Sequence, residues 1–144
     1  MTKHLKNRGQ HVELPIIGVT VAELRIAADR LVRLIFRDGT DADSESTLEV
    51  EEAITLSRGK ATQTLEGSRP GTTFAPQTLH PLVELIGCTV TDAIALQDGT
   101  IQIELSNAIQ LTVTSDGYEA WHFTFRSNST PSDNFTLHGA GRLI

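Results

Sequence analysis

Apolar and polar residues alternate in short runs along much of this chain, at a period of two rather than at helical spacing. In the stretch 100–105, Ile101, Ile103 and Leu105 fall on one side while Gln102 and Glu104 fall on the other. That is the pattern of a half-buried strand. Leu48 and Val50 alternate with Glu49 and Glu51 in the same way. One stretch is ambiguous. Thr20 and Glu23 form a capping box, and Val21, Leu24, Ala28 and Leu31 fit the stripe of an amphipathic helix.

An internal repeat resolves the ambiguity. A shift of 69 positions lays Ile17, Gly18, Thr20 and Val21 on Ile86, Gly87, Thr89 and Val90, and Glu23 on Asp92. At the same shift Val32, Leu34 and Phe36 fall on Ile101, Ile103 and Leu105. A spacing changed by two residues then aligns 52–57 (EAITLS) with 119–124 (EAWHFT). In the second copy, Asp98-Gly99 stands between alternating apolar runs, a strong hairpin signal. The first copy is therefore read as strands too, with a turn at Ala28-Asp29-Arg30.

The sequence thus predicts a mostly β protein of two related four-stranded antiparallel meanders, packed as a sandwich or a barrel. The expected strands are 20–27, 31–37, 47–51 and 52–57 in the first half. In the second they are 89–96, 100–106, 109–114 and 118–125, with a last hairpin turn at Thr114-Ser115-Asp116-Gly117. Residues 1–144 are read as a single domain, with half-repeats at 13–58 and 79–126. A Gly/Ser/Thr/Pro-rich linker occupies 59–78. A C-terminal tail spans 127–144, from which Phe135, Leu137 and Leu143 could dock on the core. The lead-in to the second half, LHPLVELIG, is long enough for a turn of helix.

The formal net charge is −6, with basic residues dispersed except near the N-terminus. A nucleic-acid partner is not expected, because such binding needs a concentrated basic surface. Lys3, Lys6, Arg8, His4 and His11 are read as a solvated tail. No apolar stretch resembles a signal peptide or a membrane span, so a cytoplasmic location is expected and no membrane partner. Cys88 is alone, takes the place of Val19 in the repeat, and is expected to be buried and inert.

Candidate chemistry is sparse. The segment 118–125 (YEAWHFTF) is the most distinctive, and Trp121, Tyr118, Glu119 and His122 are candidates for holding a ligand or partner. Trp and Tyr are favoured anchor residues. The plain alternative is a core Trp121, since it replaces Ile54 of the first half. Asp41, Asp43, Glu45 and Glu52 stand at positions 1, 3, 5 and 12 of a calcium-loop count. Ser46 occupies the place where such a loop needs Gly, and the flanks read as strands, so no metal site is assigned there. Glu23 and Asp92 could meet across a pseudo-twofold as a carboxylate pair, although on strands such residues more often face solvent. No histidine pair has ligand spacing, no nucleophile elbow or phosphate loop is present, and no cofactor is expected.

Residues 85–123 resemble a family of small bacterial β-rich proteins of unknown function. The resemblance rests on Gly87, Asp98, Gly99, Leu105, Asn107 and the closing Tyr118-Glu119-Ala120-Trp121, with an aromatic of the pattern missing from 104–107. It implies no catalytic residues. Some members of that family resemble immunity proteins of bacterial toxin systems. The expectation is a non-enzymatic binding or interaction protein, immunity-like in form, with an acidic surface for a protein partner. The alternatives are a small-molecule-binding or minor enzymatic β-domain with a pocket between the halves, and a self-associating subunit such as a homodimer.

Overall fold

The computed structural model describes residues 6–7, 11–26, 32–39, 41–51, 53–65, 76–115, 120–140 and 142–144, with the backbone alone at 6–7, 41–43 and 76–79. Twelve strands and one α-helix follow in chain order among these residues. They are β1 (Lys6–Asn7), β2 (His11–Glu13), β3 (Thr20–Ile26), β4 (Val32–Asp38), β5 (Asp41–Val50), β6 (Ile54–Arg58) and β7 (Ala61–Leu65), then α1 (Pro76–Val83). The second half continues with β8 (Val90–Leu96), β9 (Ile101–Leu105), β10 (Gln110–Val113), β11 (Trp121–Ser127) and β12 (Phe135–Gly139). One sheet has the order β1-β2-β8-β9-β10-β6-β7 and the other β12-β11-β5-β4-β3. They stack as a sandwich rather than closing into a barrel. Leu34, Leu48 and Phe123 of the shorter sheet share one core with Leu56, Ile103 and Leu111 of the longer. Alternation along each strand supplies these inward residues.

The repeat is a true structural duplication, and its axis passes between two threonines. Thr20 and Thr89 face each other in an isolated antiparallel bridge. Around them Gly18 N–H donates to the Val90 carbonyl at 2.8 Å, and Gly87 N–H donates to the Val21 carbonyl at 2.8 Å. Val21 N–H reaches the Cys88 carbonyl and Val90 N–H the Val19 carbonyl, both at 2.9 Å. Each of these bonds maps onto its partner when the repeat positions are exchanged. The bonds also stitch the two sheets together at one corner.

Both copies enter this bridge through the same tight turn. Val19 N–H closes on the Ile16 carbonyl, and Cys88 N–H on the Leu85 carbonyl, at 3.0 and 3.1 Å. The third turn residue is Gly18 in one and Gly87 in the other, with φ of +86° and +89°. A type II turn needs a residue without Cβ at that place. Ile17 and Ile86, exposed on both turns, are the residues preceding these glycines.

The register of the following hairpins obeys the 69-residue shift throughout. Val21 pairs with Phe36 and Leu24 with Leu34, while Val90 pairs with Leu105 and Ala93 with Ile103. A β-bulge lies between Val21 and Glu23 and again between Val90 and Asp92. The strand reading is therefore correct for Thr20–Ile26 and from Val32 onwards. The turn assigned to 28–30 lies outside the described residues.

The fourth strand of each half does not stay with its own meander. β6 pairs with β10 of the second half, and β11 pairs with β5 of the first. Leu56 lies opposite Leu111, as Phe123 lies opposite Leu48, so β6 and β11 match at the 67-residue spacing expected from the sequence. The two halves have exchanged their last hairpins, β6–β7 and β11–β12. The expected hairpin at 114–117 is thereby corrected: β10 and β11 do not pair and belong to different sheets. Asp116 and Gly117 lie outside the described residues.

Other boundaries also shift. Part of the expected linker is strand, because β7 folds back on β6 through Gly59-Lys60, pairing Arg58 with Ala61 and Ile54 with Leu65. The expected tail contains β12, which brings Phe135 and Leu137 against the core. At the N-terminus, β2 is a sheet strand, pairing Val12 with Ala95, and β1 pairs with it in turn. The helical lead-in is α1, and just beyond it Leu85 is buried beside Leu82.

Candidate functional site

Trp121 is fully buried, and its indole N–H donates to the Gly99 carbonyl at 2.7 Å. Its register neighbour on β12 is Gly139. A Cβ at Gly139 would collide with the indole ring and with the Gly99 carbonyl. In the first half the equivalent pair is Ile54 and Leu65. One copy thus uses a large and a minimal residue where the other uses two medium ones. The candidate anchor Trp121 is a core residue and presents no ring to a partner. Tyr118 and Glu119 lie outside the described residues.

His122 is on the opposite face of β11, half-buried in the outer surface of the shorter sheet. Its ring meets His138 of β12 edge-on, with centroids 4.4 Å apart, and its Nε2 lies 3.7 Å from a Glu51 carboxylate oxygen. The same face carries ordered ion pairs. Arg33 donates to Glu49 at 2.8 Å, and Arg37 reaches Glu45 at 3.6 Å and also Glu23. Hydrogen bonds from Arg25, and beyond it from Arg37, hold the Glu23 carboxyl below the usual glutamate range. The Arg33–Glu49 pair is part-buried, whereas Glu23, Arg25, Arg37 and Glu45 are open to solvent, which screens their attraction.

The calcium candidates do not form a loop. Asp41, Asp43 and Glu45 lie along the extended strand β5, Glu45 is engaged by Arg37, and Glu52 is outside the described residues. No group of three potential metal ligands occurs among the described residues. Glu23 is occupied by its arginines, and Asp92 accepts the Ala93 N–H at 3.0 Å. Cys88 is half-buried rather than fully so, with its thiol 3.4 Å from the Glu84 carbonyl oxygen.

The duplication itself reveals a site that none of these residues marked. A cleft of about 480 Å³ opens between β6 and β7 of the first half and, in the second half, the end of α1 and Ile109 just before β10. Leu56, Ile109, Ala61 and Pro81 give it apolar walls, and Arg58 and Glu84 stand among its polar lining residues. The dyad-related region holds two smaller openings, one of about 130 Å³ bordered by Pro15, Ser46 and Phe125 and one of about 180 Å³ bordered by Thr124, Phe125, Phe135 and Thr136. Three substitutions between copies contribute to the difference, beside the wall that α1 supplies at Pro81, where the 69-residue shift places strand β2 in the first half. Leu56, Arg58 and Ala61 of the open cleft correspond in register to Phe123, Phe125 and Phe135. Those three rings pack together: Phe125 stacks on Phe135 at 5.8 Å and 19°, and Phe123 lies 6.0 Å from Phe135. Ser46 stands opposite Phe125 where Ile109 extends the equivalent strand towards Arg58. The signal was present in the sequence, as Arg58 against Phe125 in the repeat alignment. Ala61 against Phe135 required knowing that β7 and β12 are equivalent strands.

The fold and cleft define a class: a duplicated, hairpin-exchanged β-sandwich with one dyad-related site filled and its twin open. The chain belongs to a family of unknown function (DUF6188), whose model matches residues 12–130. No curated protein and no solved structure matches it significantly. No helix among the described residues is long and apolar enough to cross a membrane.

Proposed function

We propose that this chain is a non-enzymatic binding protein that holds a protein partner, and that the cleft between β6–β7 and α1 is part of its contact surface. The observation that carries this reading is the asymmetry of the two dyad-related sites. A core that fills one site with three aromatic rings and leaves the twin open at about 480 Å³ retains exposed apolar surface that folding alone does not require. Concave, partly apolar sites with a few polar groups are where binding energy concentrates. The net charge of −6 favours a basic partner, and a basic toxin held by an immunity-type protein is the form that the resemblance suggests. The test is affinity capture from the native lysate at low and at half-molar salt. One stoichiometric basic partner, released as salt rises, is the expected result; clean protein at every salt concentration refutes the reading.

The volume also suits a small ligand, which supports a second reading as a small-molecule-binding domain. A melting temperature raised by a compound from a metabolite screen, with no protein captured, would favour it.

A further inference from the structure

The geometry points to the chemistry of the group that enters the open cleft: an aromatic side chain of the partner, carried next to a carboxylate. This rests on the binding reading above. The molecule supplies its own template. At the twin site, backbone of the same register holds Phe125 and Phe135 as a stacked pair over Phe123. In the cleft the same backbone carries Arg58, Ala61 and Leu56, so β6 and β7 place no ring where the twin has three, and a cleft of about 480 Å³ lies beside them. Leu56 and Ile109, both buried, provide an apolar floor, and Pro81 provides a rigid wall. A leucine-sized group would leave part of that space without contacts, whereas a phenyl ring restores the packing found in the twin.

The rim adds polarity. Arg58 replaces a Phe and, among the described residues, has no ion pair; its guanidinium can lie on the face of an entering ring or receive an adjoining carboxylate. Glu84, which replaces Pro15 of the first half, also lines the cleft and disfavours an anion placed beside it. Aromatic and acid together therefore fix the direction in which a peptide lies.

The probes are two acetylated pentapeptides with Asp beside a central Phe or a central Leu, titrated against isotope-labelled protein by NMR. N-acetyl-phenylalanine serves as the free-ligand arm. The expected result is amide shifts at Ala61, Gln63 and Ile109, with the Phe peptide about tenfold tighter than the Leu peptide. The double variant Arg58→Phe/Ala61→Phe copies the twin site and should lose this binding with its spectrum elsewhere unchanged. Ala61→Phe alone, at an exposed strand position, is the companion if the double variant does not fold. Arg58→Gln should weaken the Phe peptide several-fold, and that difference should shrink as salt rises. Equal affinity for the two peptides, shifts elsewhere on the surface, or undiminished binding in the filled variants would overturn the inference. Tighter binding of N-acetyl-phenylalanine than of the Phe peptide would overturn the peptide source and move the site to the small-molecule reading. A native partner captured equally by wild type and filled variant would sink this inference alone; failure to capture any partner would sink the binding reading instead.

Discussion

Replacing Gly139 by Ala tests how tightly the second copy is specified around its tryptophan. The added methyl would meet the Trp121 indole and the Gly99 carbonyl at distances that real side chains do not tolerate. Relief requires the indole to move, which strains the buried hydrogen bond from its N–H to Gly99. Overpacking of this kind costs about 1–3 kcal/mol, and weakening the hydrogen bond adds about 1 kcal/mol. Trp121→Ile alone removes most of a buried indole and should cost about 3 kcal/mol, the lower end for large aromatic truncations. The double variant Trp121→Ile/Gly139→Leu rebuilds the Ile54–Leu65 pair of the first half. If the sites were independent, the losses would sum to roughly 6 kcal/mol or more. If the two copies solve one packing problem in two ways, the double variant should lose no more than about 2 kcal/mol. Guanidinium unfolding followed by circular dichroism measures the wild type, Gly139→Ala, Gly139→Leu, Trp121→Ile and the double variant, with m-values checked for constancy. A neutral Gly139→Ala, or a double variant no better than the sum of its parts, would refute the volume-exchange account.

Gly18→Ala and Gly87→Ala should each cost about 1–2 kcal/mol, because both residues are held at positive φ. Since the two turns are dyad equivalents, the melting temperatures of the variants should agree; a large difference would break the equivalence. Ser46→Ile, which copies Ile109 into the filled site, should crowd Phe125 and cost about 1–3 kcal/mol in chemical denaturation. The Glu23 carboxyl, followed by NMR, should titrate below the ordinary glutamate range and return towards it in Arg25→Ala. A lowered carboxyl favours the folded state above its unfolded-chain value, and that contribution is lost as pH falls through the lowered value. Titration of Glu23 at the ordinary value in the wild type would show that the arginines do not hold it.

The repeat alignment carried much of the fold. Ile17-Gly18 against Ile86-Gly87 located the dyad turns, and the constancy of the shift from Val21 to Phe36 anticipated the hairpin register and forced strands onto a helix-like stretch. The exchange of β6 and β11 was hidden, because alternation in ITLSR and WHFTF says which face is buried but not which neighbour it adjoins. β7 was hidden more deeply: Ala61, Thr62, Gln63 and Thr64 are all exposed, so no apolar period marks them. Trp121 drew attention as a rare residue, yet rarity of a large aromatic signals burial at least as often as binding. The open cleft is defined by residues that are missing aromatics, and an absence becomes visible only beside the filled twin.

Exchange of the last hairpins has a consequence for how the chain must fold. Neither half contains all the neighbours of its own strands, since β5 needs β11 and β10 needs β6. A half made alone would leave an unpaired edge on a central strand and an ejected hairpin with no sheet to join. The pairing of β5 with β11 spans much of the sequence, so loop closure precedes its reward, and folding should be slow and all-or-none rather than half by half. The same connectivity is that of two identical chains which swap a terminal hairpin. A hairpin-swapped homodimer of a single ancestral unit, later joined end to end, would yield this molecule without breaking any pairing. The dyad between Thr20 and Thr89 would then be the relic of an interface between two proteins.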